Sequence, residues 1–598
     1  MGGVKPEGYR SLRPGQPHAV VCFQRLGRTI IGSMKMPIAT TPRPLPYLAA
    51  LIVIIVLGGL APLSGGRTAR AQELAATPAP GDVVVIEASP RTRVADPTGE
   101  QELRLAGTIL DPAPLDPAVA RDVNSAFMTR QVFRGLTRFD DNLEPVPELA
   151  QRIEISGDGL RYRIQLADNA RFADGSAITA ADVVYSLTRA LSPQTAAEAG
   201  AALAGPSYLA DIAGADAVIR GESDALAGIS AVDERTVEIL LEAPQATFLM
   251  KLASAPAAIV DPDDVARGGE WWRNPNASGP FVVESWRPEE ELRLAANAQY
   301  VGGEPALKVV VFRLGPSASN PFNLYQADEI DVATVPIPAI EWVSDPASLL
   351  NGELDVSPIL STSYLAFRDD VAPMDDPEIR RAVMLAFPRW KVAEILLGGR
   401  QETAHGLIPP GTLSRDWPDV APEQDLTAAR EAIARSTYGS AERVPPIRIY
   451  GAAPFGSEAF REVLERELGL TVEVFDVNWP QFNQGLAERT FPAYELTWVA
   501  DFPDPETFLW NLFGTGSPDN YSSYANLTLD ALLDEAAATL DVEARAALYT
   551  EAEAVLIADN TLLPLAHDVR YTLMKPWVKG LDITPLGLLY LETAWLER

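Results

Sequence analysis

Apolar residues between positions 440 and 500 change their spacing several times, and this limits the folds open to the chain. In Ile447–Tyr450 and Leu470–Phe475 they alternate with polar residues, which is the two-residue period of a half-buried strand. Ser457–Leu468, between these two segments, has the spacing of a helix. Strands and helices that alternate along a chain favour a mixed α/β fold.

Similar elements precede and follow this region. Leu160–Leu166 alternates strictly after a Gly-Asp-Gly turn, and Thr179 with Asp182 predicts a capping box at the start of a helix. Further helices are expected over residues 121–136, with Gly135 as the stop, and over Ile379–Leu397 and Leu527–Leu556.

An uncharged apolar run, Tyr47–Leu63, follows a basic stretch and precedes Ala69-Arg70-Ala71. This is the order of a secretory signal, and about 17 apolar residues are fewer than the roughly 20 of a membrane anchor. We expect a cleaved leader over residues 1–71 and a flexible linker over 72–100, with an uncleaved anchor as the alternative. The rest of the chain is then expected to be soluble, in the periplasm or on the extracellular face of the cytoplasmic membrane.

The chain has 49 Lys and Arg against 81 Asp and Glu, a formal net charge of −32. Such a surface repels nucleic acid and anionic lipid, so we expect no nucleic-acid partner. Solubility alone is a sufficient explanation for the charge.

Few residues suited to catalysis or metal binding are present. The one cysteine, Cys22, and one of three histidines, His18, fall in the leader, which leaves His405 and His567. Two isolated histidines are too few for a His-rich metal site, and the sequence contains no P-loop, dinucleotide-binding, nucleophile-elbow or HExxH motif. We expect no catalytic residue, cofactor or metal, although the many acids leave a carboxylate-pair hydrolase open.

An ordered set of segments is more specific than any of these features. They are LDPA at 115–118, residues 130–191, SGPFVVESWRP at 278–288, YVGGEP at 300–305, PEIRRAVMLAF at 377–387, HGLIPPG at 405–411, residues 497–536 and KPWVKGL at 575–581. In this order they resemble family 5 of the extracellular solute-binding proteins, the oligopeptide- and dipeptide-binding proteins of bacterial ABC importers.

The resemblance implies an α/β type II periplasmic-binding-protein fold, in which two lobes joined by hinge strands close on a ligand. The family has an extra domain beside the first lobe. The expected arrangement assigns lobe I to residues 101–137, 262–350 and 568–598, the extra domain to 138–261, and lobe II to 351–567.

The resemblance also implies ligand-binding residues. Asp501 is expected to pair with the ligand's α-amino group and Trp498 to wall the pocket. The alternatives are that Asp501 caps a helix starting at Pro505, for which Asp504 is the nearer cap, and that Trp498 packs in the core.

Five more residues are candidates for ligand contact. The loop with Asp122, Val123 and Asn124 corresponds to a segment that pairs with peptide backbone in similar proteins. Tyr364 is expected at the hinge and cleft, and His405 beside the Ile-Pro-Pro loop.

Two positions depart from the family pattern. Glu495 stands where some oligopeptide binders have an arginine for the ligand's C-terminal carboxylate, and Pro388 replaces an aspartate at a helix start. Both leave the ligand's length and polarity open.

The expected function is that of the substrate-binding component of an ABC importer, a monomer that captures peptides or similar small solutes and delivers them to a permease. It is not expected to be an enzyme. The alternatives are a ligand sensor of the same fold that serves chemotaxis or signalling, and a secreted hydrolase.

Overall fold

The computed structural model describes residues 83–89, 97, 99–108, 112, 114–391, 393–394, 398–452 and 456–598. The expected leader, with Cys22 and His18, lies outside these residues. Among the helices that are described, none is long and apolar enough to cross a membrane.

The strands of the described chain are β1 Val83–Glu87, β2 Glu102–Ala106, β3 Thr137–Phe139, β4 Pro145–Pro147, β5 Ala150–Ser156, β6 Arg161–Leu166, β7 Ile229–Ala231, β8 Thr236–Leu240, β9 Phe281–Arg287, β10 Glu291–Ala296, β11 Val309–Arg313, β12 Val332–Thr334, β13 Leu354–Phe367, β14 Glu402–Thr403, β15 Ile447–Gly451, β16 Val472–Asp476, β17 Ala493–Val499, β18 Leu562–Met574, β19 Val578–Lys579 and β20 Trp595–Leu596.

Its α-helices are α1 Val123–Val132, α2 Ala180–Arg189, α3 Pro193–Ala199, α4 Pro206–Leu209, α5 Ala215–Ile219, α6 Phe248–Lys251, α7 Pro262–Ala266, α8 Pro321–Gln326, α9 Ile337–Ser344, α10 Pro377–Ala386, α11 Leu426–Arg435, α12 Ser457–Val463, α13 Trp479–Ala487, α14 Glu506–Phe513, α15 Leu527–Ala538 and α16 Val542–Ala558. A π-helical turn, Leu464–Leu468, continues α12.

A five-stranded sheet in the order β1-β5-β6-β8-β7 forms the extra domain together with α2. Its edge strand β1 comes from the segment expected to be a flexible linker, and that expectation is wrong for Val83–Glu87. These residues pair antiparallel with β5, from Val83 opposite Ser156 to Glu87 opposite Arg152. The run of β-branched residues explains the pairing, because such side chains favour a pleated, half-exposed edge.

The largest sheet joins the two lobes through two long antiparallel strands. Its order is β16-β15-β17-β13-β18-β12-β2-β11-β10-β9, with β14 added beside β18. The lobe I end of β18 pairs with β12, while the lobe II end of β13 pairs with β17. Between these ends the register of β13 with β18 is interrupted from Pro358 to Thr362. This interruption marks the point where the chain passes from one lobe to the other.

Separate hydrophobic clusters lie on either side of this interruption. One includes Phe312 and Leu294 of lobe I, a second includes Ile164 and Leu187 of the extra domain, and the largest surrounds the strands and helices of lobe II. The exact domain boundaries stay a prediction.

Local expectations are confirmed where the pattern was strict. Strand β6 has alternating exposed and buried residues, and Thr179 and Asp182 form both hydrogen bonds of the capping box. Helix α1 is shorter than expected and ends at Val132, so Gly135 does not stop it. Glycine is needed at position 135 for packing, because a Cβ there would lie 2.8 Å from the Leu252 carbonyl oxygen.

Two helices are interrupted where continuous ones were expected. Helix α10 ends at Ala386 because Pro388 forces the preceding Phe387 into an extended conformation. The expected helix Leu527–Leu556 is two helices, since Asp541 caps the N-terminus of α16 by accepting a hydrogen bond from the Ala544 amide at 2.8 Å.

The capping box of α2 gives a testable prediction. Replacing Thr179 by Ala removes the acceptor of the Asp182 amide and should lower the free energy of unfolding by about 1 kcal/mol. Urea denaturation followed by circular dichroism measures this loss. The control is Thr188→Ala in the same helix, which leaves the cap intact; an equal loss in both variants would contradict the assignment.

Candidate functional site

The Asp501 carboxylate lies where lobe II contacts the extra domain, directly after strand β17 and before helix α14. It is partly buried. One oxygen, Oδ2, accepts hydrogen bonds from the Thr507 hydroxyl and the Asn511 amide, both at 3.2 Å. Thr507 and Asn511 are four positions apart, so the first turns of α14 present both to the same side.

Asp501 is not the residue that caps helix α14, which was the alternative role considered for it. Asp504 takes that role, since its Oδ1 accepts a hydrogen bond from the Glu506 amide at 3.0 Å. Its other oxygen pairs with the Nε of Arg545 at 3.1 Å. The Asp501 carboxylate instead accepts hydrogen bonds from side chains of α14 and of the extra domain.

Trp498 lies close to Asp501 through a shared partner. The Thr507 hydroxyl oxygen accepts from the Asp501 amide at 3.1 Å and lies 3.4 Å from the Trp498 Nε1. Trp498 is partly buried and packs against the lobe II core, so it forms part of the wall between core and cleft. Its contact with a ligand stays a prediction.

The extra domain contributes Tyr208 to the same carboxylate. The hydroxyl of Tyr208, in the short helix α4, donates to Asp501 Oδ1 at 3.1 Å. Its ring packs against the hydrophobic clusters of both the extra domain and lobe II. This contact connects the extra domain directly with lobe II.

Burial controls the protonation of Asp501. Desolvation raises its pKa to about 6, with the nearby Asp519 carboxylate acting in the same direction, while the hydrogen bonds from Tyr208, Thr507 and Asn511 act against it. Asp519 itself accepts a hydrogen bond from the Tyr521 hydroxyl at 2.8 Å. Since every donor to Asp501 is neutral, its negative charge remains uncompensated within the described chain.

The loop before α1 lies on the lobe I side of the cleft. Asp122 caps α1 by accepting from the Ser125 amide at 2.9 Å, Val123 is 70% exposed, and Asn124 is exposed. Burial and the Asp519 carboxylate raise the pKa of the Tyr521 phenol of lobe II, and the charge of Arg121, which precedes this loop, partly offsets this. Backbone pairing of the loop with a ligand stays a prediction.

Tyr364 lies behind the cleft. It has no exposed surface, and its ring contacts those of Tyr494 and Phe513 at centroid distances of 6.5 and 6.3 Å. Its buried hydroxyl has no hydrogen-bond partner in the described chain. In this conformation Tyr364 supports the wall of the cleft from inside lobe II.

His405 is not brought together with Asp501. Its side chain is 56% exposed and its Nδ1 lies 3.0 Å from the Asp419 carboxylate. The following residues are held by Glu553, whose Oε1 accepts from the Leu407 and Ile408 amides at 2.6 and 2.9 Å. Burial raises the pKa of Glu553 to about 7.

Both departures from the family pattern have structural roles in lobe II. The buried Glu495 accepts hydrogen bonds from the Gly456 amide, at 2.9 Å, and from the Ser457 hydroxyl, at the start of α12. Arg389, after Pro388, donates to carbonyl oxygens that include Ala421 at 3.0 Å. The Glu495 carboxylate is therefore hydrogen-bonded within lobe II. This position provides no positive charge for a carboxylate of a ligand.

A second cross-cleft contact is an ion pair that needs no ligand. Lys251 of the extra domain lies 2.7 Å from Glu506 of α14 and 2.9 Å from Asp211. Gln245 and Thr247 donate to the same Glu506 carboxylate at 2.9 and 2.6 Å. In this buried network the Lys251 ammonium and the Glu506 carboxylate neutralise each other, whereas Asp501 has no such partner among the described residues.

Some of these residues could have been found from the sequence. Thr507 and Asn511 have the four-residue spacing of one helix face and follow Asp501 closely. Tyr208 is 293 positions from Asp501, and no local pattern relates them. Within the described residues, no group of three or more His, Cys, Asp or Glu side chains is arranged to hold a metal ion.

The Tyr208 contact gives a testable prediction. Tyr208→Phe removes a donor to the ionised carboxylate and should raise the pKa of Asp501 above about 6. Carboxyl-carbon NMR of aspartate-labelled protein measures this pKa, with the resonance identified in Asp501→Asn. The control is Tyr571→Phe, whose hydroxyl donates to the Arg400 carbonyl away from the site; an unchanged pKa in Tyr208→Phe would refute the contact.

Known proteins share this architecture. The solved structure of the Escherichia coli murein tripeptide binding protein MppA superposes with a TM-score of 0.71 and 26% identity, covering 84% of this chain and all of that one. This likeness confirms the type II fold of two lobes with a hinge.

Sequence comparisons agree. The chain is 28% identical over 504 residues to the probable deoxycholate-binding periplasmic protein YgiS of E. coli, covering 81% of this chain and 92% of the relative. It is 29% identical over 503 residues to the periplasmic murein peptide-binding protein MppA of E. coli, covering 82% and 92%. The model of the bacterial extracellular solute-binding proteins, family 5, matches residues 144–520. With this match over more than half of its length, the chain belongs to family 5 of the bacterial extracellular solute-binding proteins.

Proposed function

We propose that this protein captures peptides outside the cytoplasmic membrane and delivers them to the permease of an ABC importer, without covalent chemistry. The observation that supports this proposal most directly is that the Asp501 carboxylate has only neutral hydrogen-bond donors in the described chain. A partly buried carboxylate without a cation is electrostatically costly, and a ligand ammonium removes that cost.

Binding of the ammonium also explains how closure follows capture. Asp501 belongs to lobe II, whereas Tyr208 belongs to the extra domain. A ligand that contacts both surfaces binds the closed conformation more tightly than the open one, so it shifts the population toward closure. The permease then receives the closed form. We propose that the protein acts as a monomer, since one chain supplies both sides of the cleft.

The two relatives differ in the ligand that their names state. One is a murein peptide-binding protein and the other a probable deoxycholate-binding protein. A peptide has an ammonium for Asp501, and deoxycholate has none. The chemistry of Asp501 therefore favours a peptide, and deoxycholate is the appropriate contrast ligand.

Hydrolysis is disfavoured by the surroundings of both described histidines. His567 is buried and its Nδ1 lies 2.9 Å from the Thr362 hydroxyl, which donates to the Leu407 carbonyl. Thr362 has no exposed surface, so this pair has no access to a substrate. His405 is exposed and contacts a carboxylate. The alternative role as a ligand sensor differs from import in one respect: a sensor has no permease partner.

Removing the Asp501 charge gives the main test. Asp501→Asn should weaken trialanine binding by about 10- to 100-fold, which corresponds to the 1.5–3 kcal/mol of a hydrogen bond to a charged group. Isothermal titration calorimetry measures the affinity. Asp519→Asn is the matched control and should cause a smaller loss, because Tyr521 already satisfies that carboxylate. Unchanged affinity in Asp501→Asn, or tighter binding of deoxycholate than of any peptide, contradicts the proposal.

The raised pKa of Asp501 predicts how affinity depends on pH. Only the ionised carboxylate attracts an ammonium, and the ligand's own ammonium loses its proton near a pH of about 8, so affinity should be greatest near pH 7 and fall as the pH drops through the Asp501 pKa of about 6. Below that value we expect a loss of about tenfold per pH unit.

Calorimetry of trialanine between pH 4.5 and about 7, where the ligand keeps its ammonium, measures this profile. Asp501→Asn should show a flat profile over the same range. Glu553, with its pKa raised to about 7, is present in both proteins, so the comparison isolates Asp501. A wild-type profile as flat as that of the variant would show that Asp501 does not bind the ammonium.

A further inference from the structure

Arg130, in the last turn of α1, and Arg134, just after the helix ends, lie four positions apart on lobe I, and only Arg134 is neutralised. Arg134 lies 2.6 Å from Glu592 and 3.4 Å from Glu148. Its Nη1 also donates to the backbone carbonyl of Arg130 at 2.8 Å. The charge of Arg134 is therefore balanced inside lobe I.

Arg130 has no such balance. Within the parts of the chain that the structure describes, no carboxylate lies within ion-pair distance of its guanidinium, although the protein has 81 acids for 49 bases. It is partly buried, and that burial lowers its pKa. A desolvated guanidinium without an anion carries the same kind of cost as Asp501 with the opposite sign.

A second unsatisfied group lies beside it. The Tyr590 hydroxyl is buried and has no hydrogen-bond partner in the described chain. Burial raises the pKa of this phenol, while the charge of Arg130 has the largest opposing effect, followed by that of Arg134. A free donor beside a free guanidinium is the arrangement that an anionic group satisfies.

Tyr208 connects this region with Asp501. Its hydroxyl donates to Asp501, and the charge of Arg130 acts on the same phenol. The Tyr208 phenol is therefore close to two opposite charges, the Asp501 carboxylate of lobe II and the Arg130 guanidinium of lobe I. Lobe II offers no cation at the position of Glu495, whose carboxylate is held by α12.

We propose that Arg130 binds a carboxylate of the ligand, with the Tyr590 hydroxyl as a second donor, so that the ligand is a zwitterion held between Asp501 and Arg130. The binding of the ammonium end to Asp501 rests on the proposed function, whereas the binding of the carboxylate end to Arg130 does not. A guanidinium binds a carboxylate through two parallel hydrogen bonds, which fixes its orientation. Because the two charges lie on different lobes, one ligand connects both and stabilises the closed form.

Trialanine and its C-terminal amide, compared by calorimetry, test the proposal. Amidation should weaken binding to the wild type by at least about tenfold. Arg130→Gln should lose at least about tenfold for trialanine and should no longer distinguish acid from amide, whereas Arg130→Lys should retain part of the preference. The matched control is Arg121→Gln, an exposed arginine on the same side of the cleft, which should distinguish acid from amide as the wild type does. Full discrimination in Arg130→Gln, or its loss in Arg121→Gln instead, overturns the proposal.

A carboxylate without an ammonium separates this proposal from the proposed function. N-acetylalanine at tens of millimolar should raise the melting temperature of the wild type and of Asp501→Asn but not that of Arg130→Gln. An equal rise in all three overturns the Arg130 assignment. If no peptide binds while N-acetylalanine still requires Arg130, peptide capture fails and the carboxylate site stands.

Discussion

The antiparallel pairing of β13 with β18 is the constraint on which the two-lobe structure depends. Both strands run through both lobes, and their register is interrupted between Pro358 and Thr362. Within the interruption, the Leu360 carbonyl accepts a hydrogen bond from the Ala500 amide at 2.8 Å, next to Asp501. The position of the site relative to lobe I is therefore set by these strands. Since each lobe has its own hydrophobic core, a rotation at the interruption changes the cleft without rebuilding either core.

The cleft combines matched and unmatched charges. Lys251 and Glu506 already satisfy each other across it, and this pair contributes to the contact between the extra domain and lobe II without any ligand. Asp501 and Arg130 are different, because burial disfavours each charge and neither has an opposite charge beside it in the described chain. A ligand with complementary charges would stabilise both groups at once, which couples recognition to closure.

Local structure was predictable where one physical effect dominated. The capping box of Thr179 and Asp182 and the alternation of β6 depend only on neighbouring residues. The expectation of a continuous helix over Ile379–Leu397 was wrong because periodicity was given more weight than Pro388, which excludes helical geometry before it. Val83–Glu87 was expected to be part of a linker because its composition does not indicate which strand it pairs with. In the structure it pairs with β5.

The sequence by itself determined the α/β class and the family resemblance and made Asp501 a candidate ligand residue, because these depend on local period, ordered motifs and one motif position. Only the tertiary structure decided what surrounds that carboxylate. Tyr208 reaches it from 293 positions away, and Arg130 is left without an anion while Arg134, one turn later, has two. Hydrogen bonds and ion pairs act over a few ångströms in space, and the distance between two side chains is set by the packing of lobes rather than by their separation along the chain.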